Sequence, residues 1–159
     1  MTTEPSFGKL LARLADARIR FVVVGGVAVA LNGYVRLTDD VDILIDASPE
    51  NIGRMLDALA GFGEGFARQL SVSDFADEEG AVRIVEQSES CQIDIFVRMR
   101  GLRYADIAAD ATAFVIDGRN ILHASKSGLI RLKSPSTREK DILDVEALRR
   151  LERDPRAFD

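Results

Sequence analysis

Residues 22–46 read VVVGGVAVALNGYVRLTDDVDILID. The opening valines end an apolar, β-branched run over 19–24, which predicts a buried strand. Gly25-Gly26 breaks that run. Residues 27–32 then suit a short helix, with Gly33 as its C-terminal stop. Residues 41–46 predict the next strand. Side chains alternate faces along a strand, so Val41, Ile43 and Ile45 share one face and Asp40 and Asp42 the other. Two residues apart on a strand, those acids have Cα atoms about 6.5 Å apart. Carboxylates so placed can converge on one hard cation or bridge two. Mg2+ favours oxygen donors and keeps positions for water and phosphate.

The same alternation recurs in residues 92–98. Ile93, Ile95 and Val97 form one face, and Gln92, Asp94 and Phe96 the other. If the two strands are neighbours, Asp94 completes a three-acid cluster. Three close carboxylates repel one another, so at least one of them should have a raised pKa that a cation relieves. An Asp-x-Asp pair also occurs on solvated strand faces, and the two flanking acids have simpler readings. Asp39 reads as a strand-entry residue and Asp46 as a solvated or helix-leading acid.

Working outward, residues 6–18 predict a helix capped by Ser6, with Leu10, Leu11, Leu14 and Ala17 at helical spacing. Ser48-Pro49-Glu50 is a strong helix start, followed by the apolar stripe Ile52, Met55, Leu56, Leu59 and a stop at Gly61. A strand is expected over 67–72 and a solvated loop over 77–80. Residues 81–86 and 92–98 read as two strands of a hairpin, and residues 102–109 as a short helix. Asp117-Gly118 between 114–116 and 120–122 signals a tight hairpin turn. Ser125 caps a helix to about Leu132. Pro135 interrupts, and Ser136 with Glu139 has capping-box spacing for a final helix over 137–152, with Ile142, Val145, Leu148 and Leu151 as its buried stripe. The sum is an α/β or α+β domain, a mixed sheet packed with helices and closed by a helical C-terminus.

The 159 residues, 47% of them hydrophobic, fit one domain spanning 1–159. A net charge of −5 argues against a broad nucleic-acid face, though not against a nucleotide in a pocket. No apolar tract of membrane-spanning length occurs, and MTTEPSFGK lacks the features of a secretory signal. With Cys91 as the one cysteine, no intrachain disulfide forms, so cytoplasmic residence is expected. Cys91 reads as a small buried side chain. His123, the one histidine, reads as structural or exposed rather than as a catalytic base.

The Gly25-Gly26 turn leaves backbone N–H groups open to close approach by phosphate, although such a pair also serves as a plain tight turn. Neither G-x-G-x-x-G nor G-x-x-x-x-G-K-[ST] is present, so dinucleotide-fingerprint and P-loop readings lack support.

Taken together, residues 22–46 resemble the nucleotidyltransferase superfamily that includes DNA polymerase β. The shared pattern is an apolar strand, a Gly-Gly turn, a short helix, then D-x-D within an apolar strand. Gly33, Arg36 and Thr38 resemble the G…R-x-T-x-D-x-D form of small bacterial members, including the toxin class of abortive-infection systems and antibiotic nucleotidyltransferases. Leu129-Ile130, Lys133, Arg138, Lys140, Asp141 and Asp144 resemble the segment that closes these domains.

The resemblance implies Mg2+ or Mn2+ on Asp40 and Asp42, with Asp94 as third ligand or as base for the acceptor hydroxyl. It implies phosphate contact by Gly25 and Gly26, a phosphate- or base-reaching Lys133, and Arg36 and Thr38 supporting the acid strand or touching phosphate. A nucleoside triphosphate is the implied donor. The acceptor is left open among protein, RNA and small molecule, and no appended recognition domain is evident. Acceptor choice would then lie in a loop, a homodimer groove or a partner protein. Lys133 also fits a surface lysine. Asp141 and Asp144 read as structural acids paired along the helix with Arg138 and Lys140. Two other functions compete: a non-catalytic nucleotide-binding or toxin–antitoxin module, and a metal-dependent phosphohydrolase that uses water as acceptor.

Overall fold

The computed structural model describes residues 7–35, 38, 40–62, 67–86 and 91–159. Ser6, Arg36 and Asp39 lie outside them.

Helix α1 (Phe7–Asp16) buries Leu10, Leu11 and Leu14, the stripe its spacing predicts. Strand β1 (Phe21–Val24) is buried throughout. Helix α2 (Gly25–Leu31) begins at Gly25, two residues earlier than the sequence suggests. The glycine pair is thus the first turn of the helix and not a separate turn before it. Gly33 ends this segment with φ +119°, a conformation that side chains disfavour.

Strand β2 (Asp40–Ile45) leads to helix α3 (Pro49–Ala58), whose start is as the sequence predicts: Ser48 Oγ accepts from Asn51 N, and Pro49 opens the helix. Asn51 is fully buried. Its Oδ1 accepts from Arg20 N at 2.8 Å, and its Nδ2 donates to Arg20 O at 3.0 Å and Asp46 O at 2.8 Å. Three backbone groups at this junction are thereby satisfied without water, and α3 is tied to the ends of β1 and β2. Asp46 is an ion-pair partner of Arg20 at 2.6 Å, not a merely solvated acid.

The strand expected over 67–72 is absent. Residues 67–69 form a 3₁₀ turn and Val72–Asp74 a second one. Asp74 Oδ2 accepts from Ser71 N at 2.8 Å, so a side-chain cap holds the backbone in a turn and outcompetes extension.

Strands β3 (Ala81–Glu86) and β4 (Cys91–Phe96) form the expected hairpin. The apolar run past Phe96 leaves the main sheet and forms a small ribbon of β5 (Arg98–Met99) and β6 (Leu102–Arg103). Helix α4 (Tyr104–Ala108) follows, then β7 (Thr112–Ile116) and β8 (Arg119–His123). Asp117 and Gly118 join these two strands with φ +50° and +79°, the left-handed pair that a two-residue hairpin needs. Helices α5 (Lys126–Lys133) and α6 (Glu139–Arg153) end the chain.

The six-stranded sheet runs β3-β4-β2-β1-β8-β7. It is mixed: β2 is antiparallel to β1 and parallel to β4, and β1 is parallel to β8. The two central parallel pairings come from distant sequence and place β4 beside β2. Val41, Ile43 and Ile45 are buried on one face of β2, as expected; Leu44 is buried on the acids' own face. That face is thus core at the Leu44 end and open cleft at the Asp40 end.

Candidate active site

Asp42 and Asp94 are register partners on adjacent parallel strands, so their side chains leave the same face side by side. Asp40 stands two residues before Asp42 on that face. Each of the three acids offers an oxygen within 4.8 Å of the others'. The proximity of three like charges is built in by strand pairing and has electrostatic consequences. Burial, then the neighbouring carboxylates of Asp40 and Asp94, push Asp42 up to about 7, against a weaker opposing pull from Lys133.

Gly25 follows the β1 residue paired with Asp42. A Cβ there would sit 2.0 Å from Asp42 Oδ2, and Gly25 has φ +69°. The absent side chain is therefore what lets the helix start meet the acid. Gly25→Ala is expected to displace Asp42 and lower turnover by about a hundredfold or more, the usual scale for a misplacement near 1 Å. The check is turnover measured alongside Tm: lost activity in a chain that still melts cooperatively is the expected result.

The acids open into a cleft of about 610 Å3 that also holds Gly25, Gly26, Thr38, Arg83, Arg98, Arg100, Lys133, Arg138 and Lys140. Among the described residues six cations line it beside five carboxylates, Asp40, Asp42, Glu79, Asp94 and Asp141, so charges of both signs meet in the cleft. Gly25 and Gly26, in the first turn of α2, line the same space. The hydroxyl of Thr38 lies 3.0 Å from the carbonyl oxygen of Asp40 and 3.2 Å from its Oδ1, an arrangement that orients this acid.

Lys133 is neither a surface lysine nor an unattached one. Its side chain is 11% exposed, and its Nζ lies 3.0 Å from Asp141 Oδ1 and 3.0 Å from Asp144 Oδ2. Lys133 is thus a partner of both acids that helical spacing did not foresee, and Arg138 acts on Asp141 as a lesser electrostatic neighbour. Both acids point off α6 towards α5, which corrects the buried stripe. Asp141, Asp144, Ala147, Leu148 and Leu151 are buried, and Ile142 is exposed.

The capping box expected of Ser136 and Glu139 is likewise replaced. Arg138 caps α6 without a side-chain bond, and Ser136 Oγ donates to Asp141 Oδ2 at 2.6 Å. Burial pushes Asp141 up, but the bonds from Ser136 and Lys133 outweigh it and hold this carboxyl below its ordinary range. His123 is buried, with Nδ1 donating to Ala124 O at 3.0 Å, and Cys91 is buried too.

Arg83 is the site residue that sequence reasoning missed. Its Nε donates to Asp94 Oδ1 at 2.8 Å and its Nη2 to Asp94 Oδ2 at 3.1 Å, a bidentate pair. A signal was available: a hairpin register with Glu86 opposite Cys91 puts Arg83 opposite Asp94.

A mixed sheet that carries two acids on one strand and a third on its parallel neighbour, beside a helix entered through glycines, has the features of a nucleotidyltransferase-like fold. Over residues 3–158 the sequence matches the family described as "Nucleotidyl transferase of unknown function (DUF2204)", and the chain belongs to that family. It is an enzyme of the nucleotidyl transferase class.

The crystal structure of an antigenic nucleotidyltransferase-like protein from Paracoccidioides brasiliensis is similar in fold. The TM-score is 0.53 at 19% identity, covering 89% of this chain and 72% of that one. The structure of ANT(2")-Ia in complex with adenylyl-2"-tobramycin aligns with a TM-score of 0.49 at 13% identity, over 90% of this chain and 87% of that one. Among curated proteins no significant sequence match was found. Among the described residues no helix is long and apolar enough to cross a membrane.

Proposed function

We propose that this chain transfers a nucleoside monophosphate from a nucleoside triphosphate to an acceptor hydroxyl and releases pyrophosphate, with a divalent cation held by Asp40, Asp42 and Asp94. The convergence of these acids on one point beside Gly25 carries the reading. The donor set is oxygen only and triply acidic, which suits Mg2+ or Mn2+ better than a softer metal. The raised pKa of Asp42 supports the reading, since a cation among these acids would relieve their mutual repulsion. When bound, the cation would offset the acids' charge and polarise the phosphoryl oxygens.

The chain's own residues supply position and counter-charge. Thr38 orients Asp40. Gly25 and Gly26 leave the first turn of α2 open to the phosphates, with the positive end of the helix facing them. Lys133, held between two acids of α6, presents a fixed cation to the donor. Such a site does little covalent chemistry itself; alignment and electrostatic stabilisation of the transferred group do most of the catalysis. Arg36 adjoins this strand in sequence and is proposed to support it or meet phosphate.

The test is incubation with the four α-labelled triphosphates, Mg2+ or Mn2+, and panels of protein, RNA and small-molecule acceptors. Label joined to an acceptor with equimolar pyrophosphate supports the reading. Labelled monophosphate without a labelled acceptor would instead mark a phosphohydrolase, and binding without turnover would mark a nucleotide-sensing or toxin–antitoxin module.

A further inference from the structure

We propose that Arg83 is an exchangeable counter-ion, which holds Asp94 in the metal-free chain and moves to the phosphates of the substrate when a cation takes Asp94. The inference rests on the transferase reading above and adds a residue and a sequence of events to it.

Three observations carry it. First, the fork of Arg83 engages both oxygens of Asp94, at 2.8 and 3.1 Å. The oxygens that would serve a cation are therefore already in use, and a hard cation that demands near-ideal geometry competes with the arginine for them. Second, the two partners differ in freedom. The Asp94 side chain is 7% exposed and fixed within β4, while that of Arg83 is 59% exposed. Arg83 also stands on β3, the outermost strand of its side of the sheet. The arginine is the partner able to leave. Third, its destination is close by. Arg83 lines the same cleft as Gly25 and Lys133, and a planar guanidinium matches the oxygen spacing of phosphate as well as that of carboxylate. One side chain can thus neutralise the acid cluster before loading and the donor after it.

The two halves of the exchange predict opposite effects for one substitution. Removing Arg83 removes a competitor for the cation and a partner for the phosphates. Isothermal titration of the full chain at pH 8, first with Mn2+ alone and then with inorganic tripolyphosphate in the presence of Mn2+, reads both. Arg83→Ala is expected to bind Mn2+ roughly threefold to fivefold more tightly, the scale of one partly exposed ion pair. It is expected to bind tripolyphosphate about tenfold more weakly, the scale of a charge-assisted bidentate contact. Arg83→Gln, which keeps the side chain's bulk, should move both affinities in the same directions.

Unchanged or weaker Mn2+ binding by both variants would overturn the exchange, since it would make Arg83 an orienting partner of Asp94. Unchanged tripolyphosphate binding would overturn it equally. Failure of the wild-type chain to bind Mn2+ at all removes the cation site, and with it both this inference and the transferase reading. Wild-type binding that Arg83→Ala does not tighten removes the exchange alone.

Discussion

Asp42→Asn should lower nucleotidyl transfer by at least about a thousandfold, and it should also make the metal-free chain more stable at pH 8. The first effect follows from losing one of three oxygen donors at the point where charge develops, a loss of several kcal/mol at about 1.4 kcal/mol per tenfold. The second follows from the raised pKa. A carboxyl held near 7 when folded, against 3.8 as the ordinary value, costs the folded state stability wherever it must ionise. That cost is absent below the unfolded value, grows between roughly pH 4 and 7, and is fully present above it. Asparagine keeps the shape and never ionises.

The gain at pH 8 is on the order of 2–4 kcal/mol, which for a chain of this size is a rise in Tm of about 5–10 °C. Melts in chelator at pH 8 and pH 4 check it: the gap between variant and wild type should be wide at the first and nearly closed at the second. A gap of equal size at both would contradict this electrostatic account. Full activity in the variant would show that the reaction occurs elsewhere.

Lys133→Met should destabilise the fold by about 3–5 kcal/mol, the usual result of removing one partner from a buried charge cluster. Lys133 Nζ is 3.0 Å from both Asp141 and Asp144, and the two acids are buried. Methionine fills a similar volume but removes the ammonium that both carboxylates share, leaving Asp141 its bond from Ser136. Asp141 is held below its ordinary range in the wild type, so its share of the stability is present above the unfolded value and lost as pH falls through the folded one. In Lys133→Met the part of that share owed to Lys133 should be gone while the part owed to Ser136 stays, and the difference from wild type should shrink in acid as the acids protonate.

Urea unfolding at pH 7.5 and at pH 3.5 measures both effects. Adding Asp141→Asn and Asp144→Asn to Lys133→Met should recover part of the loss, because the two side chains that lost the ammonium then carry no charge. If Lys133→Met alone left stability unchanged, the α5–α6 junction would be held by its apolar contacts and not by this triad.

The part of the site within one strand was legible from spacing alone. Asp40 and Asp42 share a face because alternation is a property of any strand, and Ser48-Pro49 begins α3 because capping is local. Asp94 was legible only as a condition. Its alternation was plain, but the parallel pairing of β2 with β4 joins residues about fifty positions apart, and no local pattern encodes it.

The C-terminal acids were read incompletely for the converse reason. Reasoning by positions three and four apart found Arg138 and Lys140, whereas burial between α5 and α6 favoured Lys133. Apolar periodicity likewise favoured Ile142 over Asp141, since it treats a buried acid as an error unless its partner is known. Arg83 was invisible as an isolated charge on an edge strand and became visible only through hairpin register. The strand expected over 67–72 failed because the Ser71–Asp74 cap competes with extension.

The central claim, that Asp40, Asp42 and Asp94 form one divalent-cation cradle, is tested most directly by crystals grown with Mn2+ and a non-hydrolysable nucleoside triphosphate, with anomalous scattering used to locate manganese. The account predicts an anomalous peak within coordination distance of Asp40, Asp42 and Asp94, with the triphosphate extending past Gly25 towards Lys133. Manganese elsewhere, or a nucleotide ordered in the cleft with no metal among those three carboxylates, would contradict it.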